Sequence, residues 1–121
     1  RDLEGANPLY LPQAKMYTGS CALGHGILLT RADELPQTTI TLSIERAGTT
    51  AFENSVSTQQ IKRKLAELAD YLWRSNHYPN GVVMLTGTGI VPPVDFTLQA
   101  GDVITITIDG ISQLVNTVRV V

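Results

Sequence analysis

The alternation of hydrophobic and polar residues predicts a set of β-strands. Residues 39–46 place isoleucine and leucine at every second position, with threonine, serine and glutamate between them, as in a half-buried strand. Residues 103–108 alternate in the same way. The Ala-Gly-Thr sequence at 47–49 predicts a turn, after which a short strand around 50–52 pairs back as a hairpin. Residues 114–121 predict a last strand.

A different period, close to that of an α-helix, follows the hairpin. Ser57 and Gln60 have the spacing of a capping box. The apolar residues after them recur at intervals of four, three and four, which predicts one buried stripe made of Ile61, Leu65, Leu68 and Leu72. Asparagine, proline and glycine between 76 and 81 end the pattern. We therefore expect one long helix at about 57–76.

The continuous apolar run at 82–85 comes directly after this helix and predicts a central strand buried on both faces. Combined with the alternating segments, it indicates an α+β fold with several strands and one long helix. The chain has 121 residues, which is the size of one domain or most of one.

Composition and charge exclude some classes of function. A net charge of −2 argues against a nucleic-acid-binding protein, and no apolar run is long enough for a membrane span. The single cysteine fits a reducing compartment, and no signal peptide is visible, so we expect a cytoplasmic protein. The chain starts at Arg1 without an initiator Met, and we expect a piece of a longer product; removal of Met and a tag is the alternative.

Three places carry candidate chemistry. The Thr-Gly-Thr-Gly loop at 86–89 could hold a carboxylate or phosphate with its amides and hydroxyls, or be a tight turn only. Lys15 could contact a substrate carboxylate or act as an acid/base group, or simply be solvated. Arg1 could clamp a carboxylate, or form a surface ion pair with its acidic neighbours Asp2 and Glu4.

Other reactive side chains give weaker signals. His25 and His77 lie far apart in the sequence and lack the spacing of a zinc site. Cys21 and His25 are not expected to form a nucleophilic pair. The residues taken one by one therefore indicate polar sites, but no complete acid/base pair, metal cage or nucleophilic triad.

Taken together and in order, four segments resemble the fumarylacetoacetate hydrolase superfamily, in particular bacterial members linked to breakdown of 2-oxo acids and 2-keto-3-deoxy sugar acids. The segments read Arg-Asp-Leu-Glu at 1–4, Leu-Pro-Gln-Ala-Lys at 11–15, Cys-Ala-Leu-Gly at 21–24 and Leu-Thr-Gly-Thr-Gly-Ile-Val-Pro at 85–92. The Gly101-Asp102 pair before a strand also matches the family.

The resemblance implies a mixed β-roll and a divalent metal, Mg²⁺ or Mn²⁺, held by carboxylates. In such enzymes the metal polarises a 2-oxo acid or acyl-pyruvate and stabilises the charge of the enolate. The outcome is hydrolysis of a carbon–carbon bond, decarboxylation, isomerisation or dehydration, so both hydrolases and lyases occur.

The resemblance also implies roles for individual residues. Lys15 matches a lysine beside metal and substrate and is the implied catalytic residue. Thr88 matches a threonine whose hydroxyl and backbone meet the substrate carboxylate. The implied substrate-binding set is Arg1, Glu4, Tyr10, Lys15, Gly87 and Thr88.

The family's metal ligands have no counterpart in this chain, because they precede the position matched by Arg1. We therefore expect residues 1–121 to be the C-terminal part of a catalytic domain, without an internal boundary, that binds no metal tightly alone. Its partners would be a small 2-oxo acid, the N-terminal part of its own protein and, as in relatives, a second copy in a homodimer. The alternative is a non-catalytic module that binds a small carboxylate or serves as a scaffold.

Overall fold

The computed structural model describes residues 7–31 and 36–121. Its strands are β1 (Thr39–Arg46), β2 (Thr49–Ser57), β3 (Val103–Ile108) and β4 (Ser112–Thr117). They form one four-stranded antiparallel sheet in the order β2-β1-β3-β4. The two strands predicted from alternation, 39–46 and 103–108, are confirmed and lie side by side in the centre of the sheet.

The pairing of β1 with β3 explains why both strands alternate. Ile40, Leu42 and Ile44 lie opposite Ile108, Ile106 and Ile104, so apolar side chains meet apolar side chains across the two strands. Such cross-strand pairs are the main stabilising contacts of a sheet. Among the described residues, Ile44 is the most deeply buried apolar one, with only 3% of its surface exposed.

The predicted hairpin is confirmed, although β2 is longer than the short strand expected around 50–52. Ala47 (φ 50°) and Gly48 (φ 76°) form the turn. Two consecutive positive φ angles are those of a type I′ turn, whose twist matches that of the strands. The last predicted strand also exists, but as Ser112–Thr117 rather than 114–121.

Two short α-helices lie outside the sheet. Helix α1 (Leu11–Lys15) directly follows a 3₁₀ turn at Pro8–Tyr10, and α2 spans Leu65–Trp73. None of the helices in the described ranges is long and apolar enough to cross a bilayer. The described part is thus a small α+β unit dominated by its sheet.

The prediction of one long helix at 57–76 is wrong. Ser57 Oγ accepts a hydrogen bond from the Gln59 amide at 3.2 Å, but this caps only a 3₁₀ turn at Thr58–Gln60. Ile61 and Lys64 are extended, and α2 starts after them. The three consecutive cations at 62–64 belong to the segment between the 3₁₀ turn and α2. Ile61 therefore lies outside the helix, and only the three leucines of the predicted stripe share it.

The prediction of a buried central strand at 82–85 is also wrong. These residues belong to no strand, and Leu85 exposes 71% of its surface. A run of apolar residues forms a strand only where another strand offers hydrogen bonds to its backbone. No strand of the described part lies beside this segment, so it runs as irregular chain towards the loop that follows.

Candidate functional site

The loop at 86–93 follows the irregular segment and folds back on itself. The Thr88 hydroxyl donates a hydrogen bond to the Ile90 carbonyl oxygen at 3.0 Å and accepts one from the Ile90 amide at 3.1 Å. Ile90 exposes only 6% of its surface, whereas Thr88 is exposed. The buried isoleucine therefore anchors the loop, and the threonine side chain sets the shape of its exposed tip.

The tip presents backbone donors to solvent. Gly87 has φ of 104°, a conformation that favours glycine. Within residues 7–31 and 36–121, the amides of Gly87, Thr88 and Gly89 donate to no acceptor. Neighbouring unpaired amides in a turn are suited to an anion such as a carboxylate. Because the Thr88 hydroxyl proton is already donated to Ile90, these backbone amides are better placed than that hydroxyl to donate to a ligand.

An aromatic contact attaches the next part of the chain to the sheet. The Phe96 amide donates to the Pro93 carbonyl at 3.1 Å, which forms a turn after the loop. The Phe96 ring lies 5.8 Å from the ring of Phe52 on β2, and the Arg46 guanidinium lies 5.5 Å from the Phe96 ring centroid. The chain after the loop is thus held against β1 and β2.

A buried ion pair fixes the end of this connection. Asp102 exposes 1% of its surface and receives two hydrogen bonds from Arg46, from Nε at 2.9 Å and from a terminal nitrogen at 2.8 Å. The Gln99 amide donates to the same carboxylate at 2.8 Å, and Arg46 also donates to the Thr97 carbonyl at 2.9 Å. One arginine therefore joins the end of β1 to the loop before β3.

These bonds change the acidity of both partners. The hydrogen bonds from Arg46, and then the one from the Gln99 amide, lower the pKa of Asp102 from 3.8 to about 2. The bond to Asp102 in turn raises the pKa of Arg46. The pair is therefore fully charged at neutral pH.

Neither the Arg46–Asp102 pair nor the contact between the loop at 86–93 and β2 was predicted from the sequence. Arg46 and Asp102 are 56 residues apart, and neither stands in a motif that names the other as its partner. Val56 on β2 lies against Gly89, and nothing in the sequence around Val56 indicates this contact.

The predicted site residues fall in separate parts of the chain. Tyr10 ends the 3₁₀ turn and Lys15 ends α1, so one short helical segment carries both. The Ser20 hydroxyl donates to the Lys15 carbonyl at 2.8 Å and closes the turn after α1. Gly87 and Thr88 share the loop tip. Arg1 and Glu4 lie outside the described residues.

The described residues do not fit a divalent metal. Across 7–31 and 36–121, no three side chains of histidine, cysteine, aspartate or glutamate come close enough together to hold one. Cys21 is exposed.

Comparison with known proteins now decides the family. A model described as "Fumarylacetoacetate (FAA) hydrolase C-terminal" matches residues 1–119. The chain belongs to the fumarylacetoacetate hydrolase family. The resemblance carried by the four sequence segments is thereby confirmed.

The similar curated proteins form one branch of that family. The chain is 45% identical over 120 residues to 2-dehydro-3-deoxy-D-arabinonate dehydratase of Saccharolobus solfataricus, covering 98% of the chain and 40% of that protein. It is 41% identical over 122 residues to a probable 2-keto-3-deoxyxylonate dehydratase of Haloferax volcanii, covering 100% of the chain and 42% of that protein. The chain thus spans about two fifths of the length of these relatives.

Solved structures give the same result. A 2-keto-3-deoxy-D-arabinonate dehydratase complexed with magnesium and 2,5-dioxopentanoate matches with a TM-score of 0.90 at 45% identity, over 97% of this chain and 42% of the other. A hexagonal crystal form of 2-keto-3-deoxyarabinonate dehydratase matches with a TM-score of 0.92, over 98% and 41%. The fold described above is therefore that of the corresponding part of these enzymes.

Proposed function

We propose that this chain is the C-terminal part of the catalytic domain of a dehydratase that acts on 2-keto-3-deoxy sugar acids. The observation that carries the proposal is the match, at 45% identity over 97% of the chain, to a dehydratase complexed with magnesium and 2,5-dioxopentanoate. Residues 1–121 would form one continuous part of that domain. The sheet would belong to a larger mixed β-roll.

The chemistry of the proposed reaction needs a group that holds the carboxylate. Removal of a proton from the carbon beside the 2-keto group gives an enolate, and the hydroxyl one carbon further on then takes up a proton and leaves as water. The carboxylate at the other end of the keto group stays negative throughout, so a site that fixes it orients the reacting carbons. The unpaired amides of Gly87, Thr88 and Gly89 are suited to that task.

The remaining site residues take the roles that the family resemblance implies. Lys15 is the catalytic residue and moves or stabilises charge at the reacting carbons. Tyr10 lies on the same helical segment and contacts the substrate. Arg1 and Glu4 complete the substrate-binding set.

Magnesium is proposed as the cofactor of the complete enzyme. A dehydratase similar to this chain is complexed with it. The described residues offer no group of ligands, so the ion would be held by residues elsewhere in the complete protein. Its chemical contribution would be to stabilise negative charge on the keto oxygen.

The exposed surface of the chain supports contact with the rest of its own full-length protein. Its accessible area is 9669 Å², about half as much again as expected for a compact protein of 13.1 kDa. Large apolar side chains are exposed along 9–29 and 82–98. We expect the rest of the full-length protein to cover these segments. A homodimer and a cytoplasmic location are further parts of the proposal.

Substitution of Thr88 in the full-length protein tests the loop's role. Thr88→Val keeps the shape of the side chain but removes both hydrogen bonds to Ile90, so the amides lose their arrangement. We expect KM for a 2-keto-3-deoxy sugar acid to rise about tenfold, whereas Thr88→Ser, which keeps the hydroxyl, stays near the wild type. An unchanged KM in Thr88→Val would contradict the role of the loop, and a full-length wild type that does not turn over the acid would support the non-catalytic module.

A further inference from the structure

The tip of the loop at 86–93 lies directly on β2. A Cβ atom added to Gly89 would lie 3.0 Å from Val56 Cγ2, 3.3 Å from Val56 Cγ1 and 3.5 Å from Val56 Cβ. Carbon atoms in ordinary contact are about 3.5–4.0 Å apart. A Cβ atom at Gly89 would therefore be crowded, and the valine or the loop would have to move by a few tenths of an ångström to admit it.

Gly87, two residues earlier, is favoured by its backbone conformation and not by a lack of space. An added Cβ there would meet nothing within 4 Å, but its φ of 104° strains any other residue. Gly89 is not among the residues with positive φ. The two glycines therefore separate the effect of space from the effect of backbone conformation within one loop.

Val56 is well placed to fix the loop. It lies on β2 opposite Ile40 of β1, so the sheet holds its backbone. Its branched side chain has little freedom about χ1. The backbone from 88 to 90 is tied together by the Thr88 hydroxyl and held on the other side by buried Ile90. A displacement at Gly89 is thus transmitted to the neighbouring amides.

We propose that Val56 is a positioning residue, whose side chain seats Gly89 and so sets where the amides of Gly87 and Thr88 meet the substrate carboxylate. This rests on the proposed function of the loop. Val56 itself touches no substrate and acts through the backbone of the loop. Its contribution comes only from the shape of its side chain.

The test is a size exchange between the two contacting residues in the full-length enzyme. Gly89→Ala forces the loop off the valine by a few tenths of an ångström and is expected to raise KM about tenfold, with a smaller change in kcat. Val56→Ala alone loosens the contact with Gly89 and is expected to raise KM about twofold to threefold. The double variant should return to the KM of Val56→Ala, because the missing methyl groups make room for the added one.

Two controls make the rescue specific. Val56→Thr keeps the branched shape and should not rescue Gly89→Ala. Val56→Ala should not rescue Gly87→Ala, whose defect is a strained φ rather than a collision. Thermal unfolding of every variant separates the change in KM from a loss of folded protein. If Gly89→Ala does not fold, Val56→Ile with native Gly89 displaces the loop from the other side and should raise KM about fivefold.

The outcomes distinguish the two proposals. Multiplying effects in the Val56→Ala/Gly89→Ala double variant, or equal rescue by threonine, would overturn the role of Val56; so would an unchanged KM in Val56→Ile. If Thr88→Val, Gly87→Ala and Gly89→Ala all leave KM unchanged, the loop does not bind the substrate, and the function proposed for the loop is itself wrong.

Discussion

The pair of Arg46 and Asp102 predicts a specific dependence of stability on pH. The folded protein lowers the pKa of Asp102 from 3.8 to about 2, chiefly through the hydrogen bonds from Arg46. A carboxyl group with a lowered pKa stabilises the folded state at any pH above its unfolded value. Its contribution is therefore complete above about pH 4, declines as the pH falls through 3.8, and is lost below about pH 2.

The perturbation is Asp102→Asn, which keeps the size of the side chain but removes its charge. The amide cannot accept both bonds from Arg46, and the Gln99 amide loses a charged acceptor. We expect the variant to be less stable than the wild type at pH 6. The difference should shrink over roughly the two pH units between 3.8 and about 2, where the wild-type carboxylate takes up its proton.

The assay is urea unfolding of the full-length protein from pH 2 to pH 6, followed by circular dichroism. Asp109→Asn, an exposed acid after β3, controls for the change in net charge. Arg46→Lys removes the forked geometry while keeping the positive charge, and should lose part of the same stability. A difference between wild type and Asp102→Asn that is constant from pH 2 to pH 6 would refute the reasoning.

Three other predictions concern the core, the hairpin and the chemistry. Ile44→Ala should lower the free energy of unfolding by about 2–5 kcal/mol, as measured in urea, whereas Val115→Ala on exposed β4 should cost well under that. Ala47→Asn should raise the melting temperature, by relief of about 1 kcal/mol of strain at its positive φ beside Gly48; a lower melting temperature would contradict the turn assignment. Lys15→Met should reduce kcat about a hundredfold with an unchanged circular dichroism spectrum, and an unchanged kcat would remove Lys15 from the catalytic role.

The parts of the fold that the sequence predicted are those that depend on near neighbours in the chain. The alternation at 39–46 and 103–108 places apolar residues on one face of each strand and polar residues on the other, because successive side chains of a strand point to opposite faces. The Ala47-Gly48 turn likewise follows from its own residues. These elements are present with the expected bounds or close to them.

The failures occur where the outcome depends on distant contacts. The spacing of Ser57 and Gln60 suits a 3₁₀ turn as well as an α-helix, and the structure has the former. The run at 82–85 could become a strand only beside another strand. The candidate loop shows the same division. Gly87 and Thr88 stand in a local motif that the sequence displays, whereas the contacts of Arg46, Val56 and Asp102 exist only in the folded sheet.

The central claim, dehydration of a 2-keto-3-deoxy sugar acid, is tested most directly by identifying the product. The full-length protein should be incubated with 2-keto-3-deoxyarabinonate and magnesium, and the products analysed by mass spectrometry and NMR. Dehydration predicts the loss of one water and the appearance of 2,5-dioxopentanoate, with loss of activity in Lys15→Met. Fragments from carbon–carbon cleavage, release of carbon dioxide or an unchanged substrate would contradict it.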